Sequence, residues 1–72
     1  MKTLKDVALE YGKAWEFRIF DADEIFLFKK TTDEILNSED AVLELKVKNM
    51  EESKIYINVA YIFLNRKENK ND

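Results

Sequence analysis

The run from residue 55 to residue 64, IYINVAYIFL, constrains this chain more than any other segment, because Asn58 is its only polar residue. A strand with one face on a core and one face in water alternates apolar and polar side chains, and this run does not alternate. Both of its faces therefore need cover. A chain of 72 residues buries only about 60% of its unfolded surface on folding. We therefore expect a partner, such as a second copy of the chain, to supply part of the cover.

The composition excludes several features that stabilise small domains and several kinds of functional site. With no Cys there is no disulfide, and without Cys or His a structural zinc site is nearly excluded. The same absences remove the commonest general base and the best nucleophile, so we expect no enzyme. No glycine-rich phosphate loop is present, and we expect no cofactor. The 12 basic and 15 acidic residues give a net charge of −3, unlike the basic surface of a generic nucleic-acid binder.

The sequence also predicts a cytoplasmic protein that does not enter a membrane. No N-terminal segment resembles a signal peptide. The longest apolar run is about half the roughly 20 residues that a membrane helix needs. The lack of Cys suits a reducing compartment.

The N-terminal residues predict a short amphipathic helix. An apolar stripe with the spacing i, i+3, i+4 and i+7 consists of Leu4, Val7, Ala8 and Tyr11. Thr3 is the predicted N-cap, and Asp6 falls at the third helical position, where an acidic residue is favoured. Gly12, the only glycine, is expected to end the helix in a left-handed conformation.

The next segment predicts a β-hairpin. Residues 14–20 alternate in the manner of a half-buried strand, and the apolar run 25–28 follows an acidic connection at 21–24. An alternative remains, because Asp21 and Glu24 have the spacing of a capping box that would start a helix over 22–30. The aromatic content favours the strand.

The second half predicts a helical turn and a second hairpin. Thr31 and Glu34 have capping-box spacing, so one helical turn is expected around Ile35 and Leu36. Residues 42–48 alternate and predict a third strand. A turn at 49–53 then leads into the fourth strand, over 54–64.

These elements predict one α+β domain over residues 1–64 and a flexible polar tail over 65–72. Because sequential strands usually pair, the N-terminal helix should pack on a four-stranded antiparallel sheet made of two hairpins with the helical turn between them. The side chains expected to face the helix are Trp15, Phe17, Ile19, Ile25, Leu27 and the odd-numbered residues of 55–63.

The other face of this sheet is the predicted interface. The side chains assigned to it are Phe20, Phe26, Phe28, Tyr56, Ala60, Ile62 and Leu64. An exposed aromatic and aliphatic face of this kind usually marks an interaction site. The alternative is that the turn around Ile35, or the twist of the sheet, covers the face within one chain. If the face is an interface, Ile62→Glu is expected to give a folded monomer.

Acidic residues are expected to gather at one end of the sheet, where two loops project. They are Asp21, Asp23, Glu24, Glu51 and Glu52. Calcium or magnesium accepts such ligands, but the fixed spacing and mid-loop glycine of an EF-hand are absent. We interpret the acidic end as a solvated surface and expect no metal.

A nucleic-acid function is the alternative hypothesis. The N-terminal segment resembles the opening helix and turn of helix-turn-helix regulators of the lac-repressor type, in the residues Thr3-Leu4-Lys5-Asp6-Val7-Ala8 and Gly12. The resemblance covers residues 3–12 and implies a second, polar-faced helix that meets DNA. Residues 13–28 are instead aromatic and acidic. A second route is stacking of single-stranded bases on aromatics beside the basic residues Lys29, Lys30, Lys46 and Lys48.

The sequence therefore predicts a small, non-catalytic cytosolic module that binds and modulates another protein and self-associates. Apolar strand surface would supply affinity, and the acidic loops at 21–24 and 49–53 would steer the encounter. The Pro-free, Lys/Asn/Glu-rich composition is typical of AT-rich bacteria and their mobile elements, so inhibition of a host factor is one expected role.

Overall fold

The computed structural model describes residues 1–66, and within this part of the chain three helices lie on one four-stranded sheet. The helices are α1 (Leu4–Tyr11), α2 (Thr32–Leu36) and α3 (Asp40–Leu43). The strands are β1 (Glu16–Phe20), β2 (Phe26–Thr31), β3 (Val47–Glu52) and β4 (Val59–Leu64). The predicted α+β class is confirmed, as is a strand rather than a helix over most of residues 25–30. None of the helices in residues 1–66 has the length and apolar content needed to cross a bilayer.

The sheet joins two hairpins through their inner strands, in the order β2-β1-β4-β3. Both hairpins are antiparallel, but β1 and β4 run parallel, with Phe17 beside Ala60 and Ile19 beside Ile62. The sheet is therefore mixed, and the prediction of a wholly antiparallel sheet is wrong. Burial explains the strand order: β1 and β4 carry the side chains that need the deepest burial, whereas the charged strands β2 and β3 tolerate the edges.

Helix α1 begins and ends at the predicted residues. The Thr3 hydroxyl accepts from the Asp6 N–H at 3.2 Å, and the Asp6 carboxylate accepts from the Thr3 N–H at 3.0 Å. At the other end, Gly12 has φ of +80°, a backbone conformation that glycine adopts without strain. Its N–H donates to the carbonyl of Ala8 at 3.1 Å. The buried residues of α1 come from the predicted stripe.

Helix α2 is the predicted helical turn, but it does not cover the second face of the sheet. The Thr31 hydroxyl and the Glu34 carboxylate form a second capping box. The Thr32 hydroxyl donates to the Gly12 carbonyl at 2.6 Å, which ties α2 to the end of α1. Ile35 is fully buried in the same core as α1. The two helices therefore share one face of the sheet.

The core lies between these helices and one face of the sheet. Its buried apolar members are Leu4, Val7, Ala8, Phe17, Ile19, Ile35, Val47, Ala60, Ile62 and Leu64. Because successive residues of a strand point to opposite faces, the neighbours of these strand residues lie on the other side of the sheet.

The fourth strand is shorter than predicted, and its two faces are exchanged. It begins at Val59, and residues 53–58 form a loop in which Ile55 is 81% and Ile57 is 89% exposed. Asn58 has φ of +58°, a conformation that Asn tolerates better than most residues and that breaks the extended run. The even-numbered residues of β4 face the helices, so the odd-numbered assignment was wrong.

The third strand is displaced along the chain. Residues 40–43 form α3, the strand covers Val47–Glu52, and the predicted turn at 49–53 is mostly strand. Leu43 and Leu45 both pack on the core, but from a helix and a connection rather than from a strand. Their apparent alternation with Glu44 therefore imitates a strand pattern. The Leu45 carbonyl accepts from the Leu4 N–H at 2.9 Å.

The predicted tail falls largely outside the described residues, since 67–72 are not among them. Its first two residues are bonded to the fold. The Asn65 N–H donates to the Lys46 carbonyl at 2.9 Å, and the Arg66 carbonyl accepts from the Ala22 N–H at 2.8 Å.

Two identical substitutions test the exchange of faces in β4. Ile62 is fully buried and Ile57 is 89% exposed, the reverse of the assignment from sequence. Ile62→Ala should lower the free energy of unfolding by about 2–5 kcal/mol, because it leaves a cavity in the core. Ile57→Ala should change it by less than about 0.5 kcal/mol. Urea denaturation of both variants measures the difference, and equal losses would contradict the assignment. For the same reason Ile62→Glu is now expected to unfold the chain rather than yield a folded monomer.

The α1 cap predicts a pH dependence. The Thr3 backbone N–H and hydroxyl both hold the pKa of the Asp6 carboxyl below its ordinary value of 3.8. A carboxyl with a depressed pKa stabilises the fold at every pH above its unfolded value and loses that contribution as pH falls through the folded value. NMR titration should place the Asp6 pKa below 3.8. Thr3→Ala should move it part of the way back, because the variant keeps the N–H and loses the hydroxyl. An unshifted pKa in the wild type would show that the capping box does not form.

Candidate functional site

The face of the sheet opposite the helices carries the largest group of aromatic side chains outside the core, and we call it the open face. Strand register places on it Glu16, Arg18, Phe20, Phe26, Lys29, Thr31, Asn49, Glu51, Val59, Tyr61 and Phe63. Among residues 1–66 no helix covers it. Two connections border it from opposite ends. The Tyr56 ring of the 53–58 loop lies over the Arg18 guanidinium, 5.1 Å from its central carbon, and Ala22 and Glu24 of the β1–β2 connection border a depression beside Phe63.

Phe20 is the centre of an aromatic cluster on the open face. Its ring centroid lies 5.2 Å from that of Phe63 in a stacked arrangement, 5.6 Å from that of Phe26 and 6.2 Å from that of Tyr61. These separations are typical of favourable aromatic pairs. The rings shelter one another only partly, and Phe26 remains 52% exposed. The cluster therefore presents aromatic surface to any molecule that approaches the sheet.

A row of charged and polar side chains crosses the open face beside this cluster. In register order it consists of Lys29, Arg18, Tyr61 and Glu51. The Glu16 carboxylate accepts from the Arg18 guanidinium at 2.9 Å, and this hydrogen bond raises the pKa of Arg18 above its usual range. Positive charge therefore lies towards β2 and negative charge towards β3.

Three of the seven predicted interface residues lie on the open face. Phe20 and Phe26 are in the aromatic cluster, and Tyr56 lies at the end of the open face. Phe28 is on the core face because the register of β2 slips beside it. Ile19 pairs with Phe28 and Phe20 pairs with Phe26, so Leu27 is an extra, bulged residue.

The remaining three predicted residues are in the core. Ala60 and Ile62 have no exposed surface and Leu64 has 1%, because the even-numbered residues of β4 pack against the helices. Their assignment to the second face is therefore corrected. Ile25, which was expected to face the helix, is 56% exposed beside the β1–β2 connection.

The open face also contains residues that the sequence did not assign to it. They are Arg18, Lys29, Glu51, Tyr61 and Phe63. One signal could have found two of them. A buried Tyr needs a hydrogen-bond partner for its hydroxyl, so Tyr61 favours the solvent side of the strand, and Phe63 must share its face.

The candidate side chains for acid–base or nucleophilic chemistry are engaged in turns. The buried Asp21 carboxylate accepts from the N–H groups of Asp23 and Ile25 at 2.8 and 3.0 Å. The Ser38 hydroxyl donates to the Glu34 carbonyl at 2.7 Å, and the Ser53 hydroxyl accepts from two N–H groups of its own loop. These contacts account for the positions of the side chains without a reaction.

The expected gathering of all five acidic residues does not form, although Glu24 and Glu51 border one depression. The 21–24 connection and the 53–58 loop lie at opposite ends of the sheet, and Glu51 and Glu52 belong to β3 rather than to a turn. Within residues 1–66, no three acidic, His or Cys side chains come close enough together to hold a metal ion.

The resemblance to a helix-turn-helix motif ends at Gly12. Residues 16–20, which would open the second helix, form the central strand β1. Trp15, just before this strand, is partly buried and packs edge-on against Tyr11 with 4.6 Å between ring centroids. Burial and the nearby Glu52 raise the pKa of Tyr11. This part of the chain therefore packs within the fold and does not form a second helix that could contact DNA.

Comparison with protein-family models, with curated proteins and with solved structures gave no match. The open face is therefore interpreted from its own geometry and charge.

Proposed function

We propose that this chain is a small, non-catalytic module that binds and modulates another protein through the open face, and that it acts in the cytosol. The observation that carries the proposal is the aromatic cluster around Phe20, which lies on the side of the sheet that α1, α2 and α3 leave uncovered. Exposed aromatic surface bordered by charge is typical of protein interfaces, where aromatic residues and Arg are enriched.

The chemistry of the face supports this function over catalysis. Its polar and aromatic groups are four rings, one ion pair, one lysine, one glutamate, one threonine and one asparagine on paired strands. Rings held by a rigid sheet lose little conformational freedom on binding, so more of the contact energy is available for affinity. Lys29 and Glu51 at the two margins would orient the partner.

A nucleic acid is the second candidate, because Arg18 and Lys29 border the same depression as Phe20, Phe26 and Tyr61. Such a surface could stack single-stranded bases. Three features favour a protein instead. Arg18 is already paired with Glu16, Glu51 lies in the same row, and the net charge of the chain is −3. A phosphate beside Arg18 would therefore also lie near the Glu16 carboxylate.

Capture from a lysate followed by titration tests the proposal. Phe26→Ser removes an exposed ring from the open face, and Leu9→Ser removes a side chain of similar exposure from the outer side of α1. A protein that is retained after nuclease treatment should be identified, purified and titrated against the wild type and both variants. We expect Phe26→Ser to weaken its binding at least tenfold, about 1.4 kcal/mol, and Leu9→Ser to leave it unchanged.

Two results would contradict the proposal. In one, Phe26→Ser binds every retained protein as well as Leu9→Ser does. In the other, nuclease removes all bound material, and purified oligonucleotides bind with an affinity that falls steeply as salt is raised. The second result would establish the nucleic-acid alternative.

A further inference from the structure

We propose that a second copy of this chain occupies the open face, related to the first by a two-fold axis that runs parallel to the strands between β1 and β4. This inference rests on the proposed function, because it uses the same open face, and adds that the chain itself is one protein that binds there. It follows from the order of side chains across the sheet, which is complementary to itself about that axis.

The open face has three rows that run from β2 to β3. The aromatic row is Phe26, Phe20, Phe63 and Asn49; the charged row is Lys29, Arg18, Tyr61 and Glu51; the third row is Thr31, Glu16 and Val59. The charged row lies in the middle. Its ends have opposite charge, with Lys29 on one edge strand and Glu51 on the other.

An axis parallel to the strands lays β2 of one copy over β3 of the other, and β1 over β4. Lys29 then meets Glu51 of the partner subunit, and the same pair forms a second time by symmetry. The stacked rings of Phe20 and Phe63 meet the same two rings in exchanged order. Two sheets packed with nearly aligned strands are a common arrangement.

A two-fold axis perpendicular to the strands would also keep the strands of the two sheets aligned, and the charges disfavour it. Each strand would lie over the same strand of the partner subunit. Lys29 would then meet Lys29 of the partner subunit, and Glu51 would meet Glu51 of the partner subunit. The aromatic row would also lie over the row that contains Glu16. Juxtaposed like charges are strongly unfavourable in interfaces, so the charge order selects the parallel axis.

The size of the face predicts a weak dimer. Four strands about 4.8 Å apart and about five residues long give a flat face of roughly 19 by 17 Å. Two such faces total roughly 650 Å², below the about 1,200 Å² at the low end of stable interfaces. We therefore expect a weak, transient dimer. Residues 67–72, KENKND, contain no apolar side chain that could replace the second copy as cover for the aromatic row.

Exchange of charges tests both the dimer and its axis. Sedimentation equilibrium of the wild type from about 1 µM to 1 mM should show a monomer that becomes a dimer. Lys29→Glu alone and Glu51→Lys alone should each raise the dissociation constant at least tenfold, because each converts two attractive pairs into two repulsive ones. An equimolar mixture of the two variants should form a heterodimer, since one native pair and one attractive pair of reversed sign are then present. The double variant should dimerise as the wild type does.

The matched controls are Lys30→Glu and Glu52→Lys, which change the neighbouring residue of each strand on the other face of the sheet. They should dimerise like the wild type. A wild type that stays monomeric to 1 mM would overturn the inference, while binding of a different protein lost in Phe26→Ser would still support the proposed function. A dimer that is insensitive to the two exchanges, or that mixing does not restore, would overturn the proposed axis.

Discussion

The parallel pairing of β1 with β4 is the constraint on which the rest of this structure depends. It places Phe17 beside Ala60 and Ile19 beside Ile62, so the most apolar parts of two separate hairpins form one continuous floor for the core. Without this contact each hairpin would have too little apolar area to be stable alone. The helices can then lie over the middle of a four-stranded sheet.

The same pairing explains why the molecule has a covered and an open face. Two short helices, α2 and α3, connect the hairpins, and both pack with α1 on the core side of the sheet. The edge strands carry Lys29, Lys30, Glu51 and Glu52, and charged edges discourage uncontrolled strand addition. The aromatic cluster on the open face is thus one of the apolar surfaces that the fold of residues 1–66 leaves in water, together with Ile55 and Ile57 of the 53–58 loop. The charges beside the cluster limit which partner fits.

Local features of the sequence were sufficient to predict the elements whose ends are set by neighbouring residues. The capping boxes at Thr3 and Thr31 and the alternation around Phe17 are determined within a few residues, and the structure has each of them. The direction of β4 relative to β1 depends instead on contacts more than 40 residues apart, such as Ile19 with Ile62.

The assignment of alternate strand residues to the two faces of the sheet failed for a related reason. A strand that is apolar on both sides does not indicate which side faces the core, and the register slip at Leu27 reverses one face of β2. Four of the seven predicted interface residues were therefore assigned to the wrong side.

Solvent accessibility along β4 tests the two-faced sheet most directly. A soluble paramagnetic agent broadens the NMR signals of protons that it can approach. The measurement should be made at the lowest protein concentration that gives a spectrum. The ring protons of Tyr61 and Phe63 should broaden strongly, while the methyl groups of Ile62 and the ring of Phe17 should stay sharp, because both are fully buried. The reverse pattern, with Ile62 broadened and Phe63 protected, would contradict the placement of the open face and everything inferred from it.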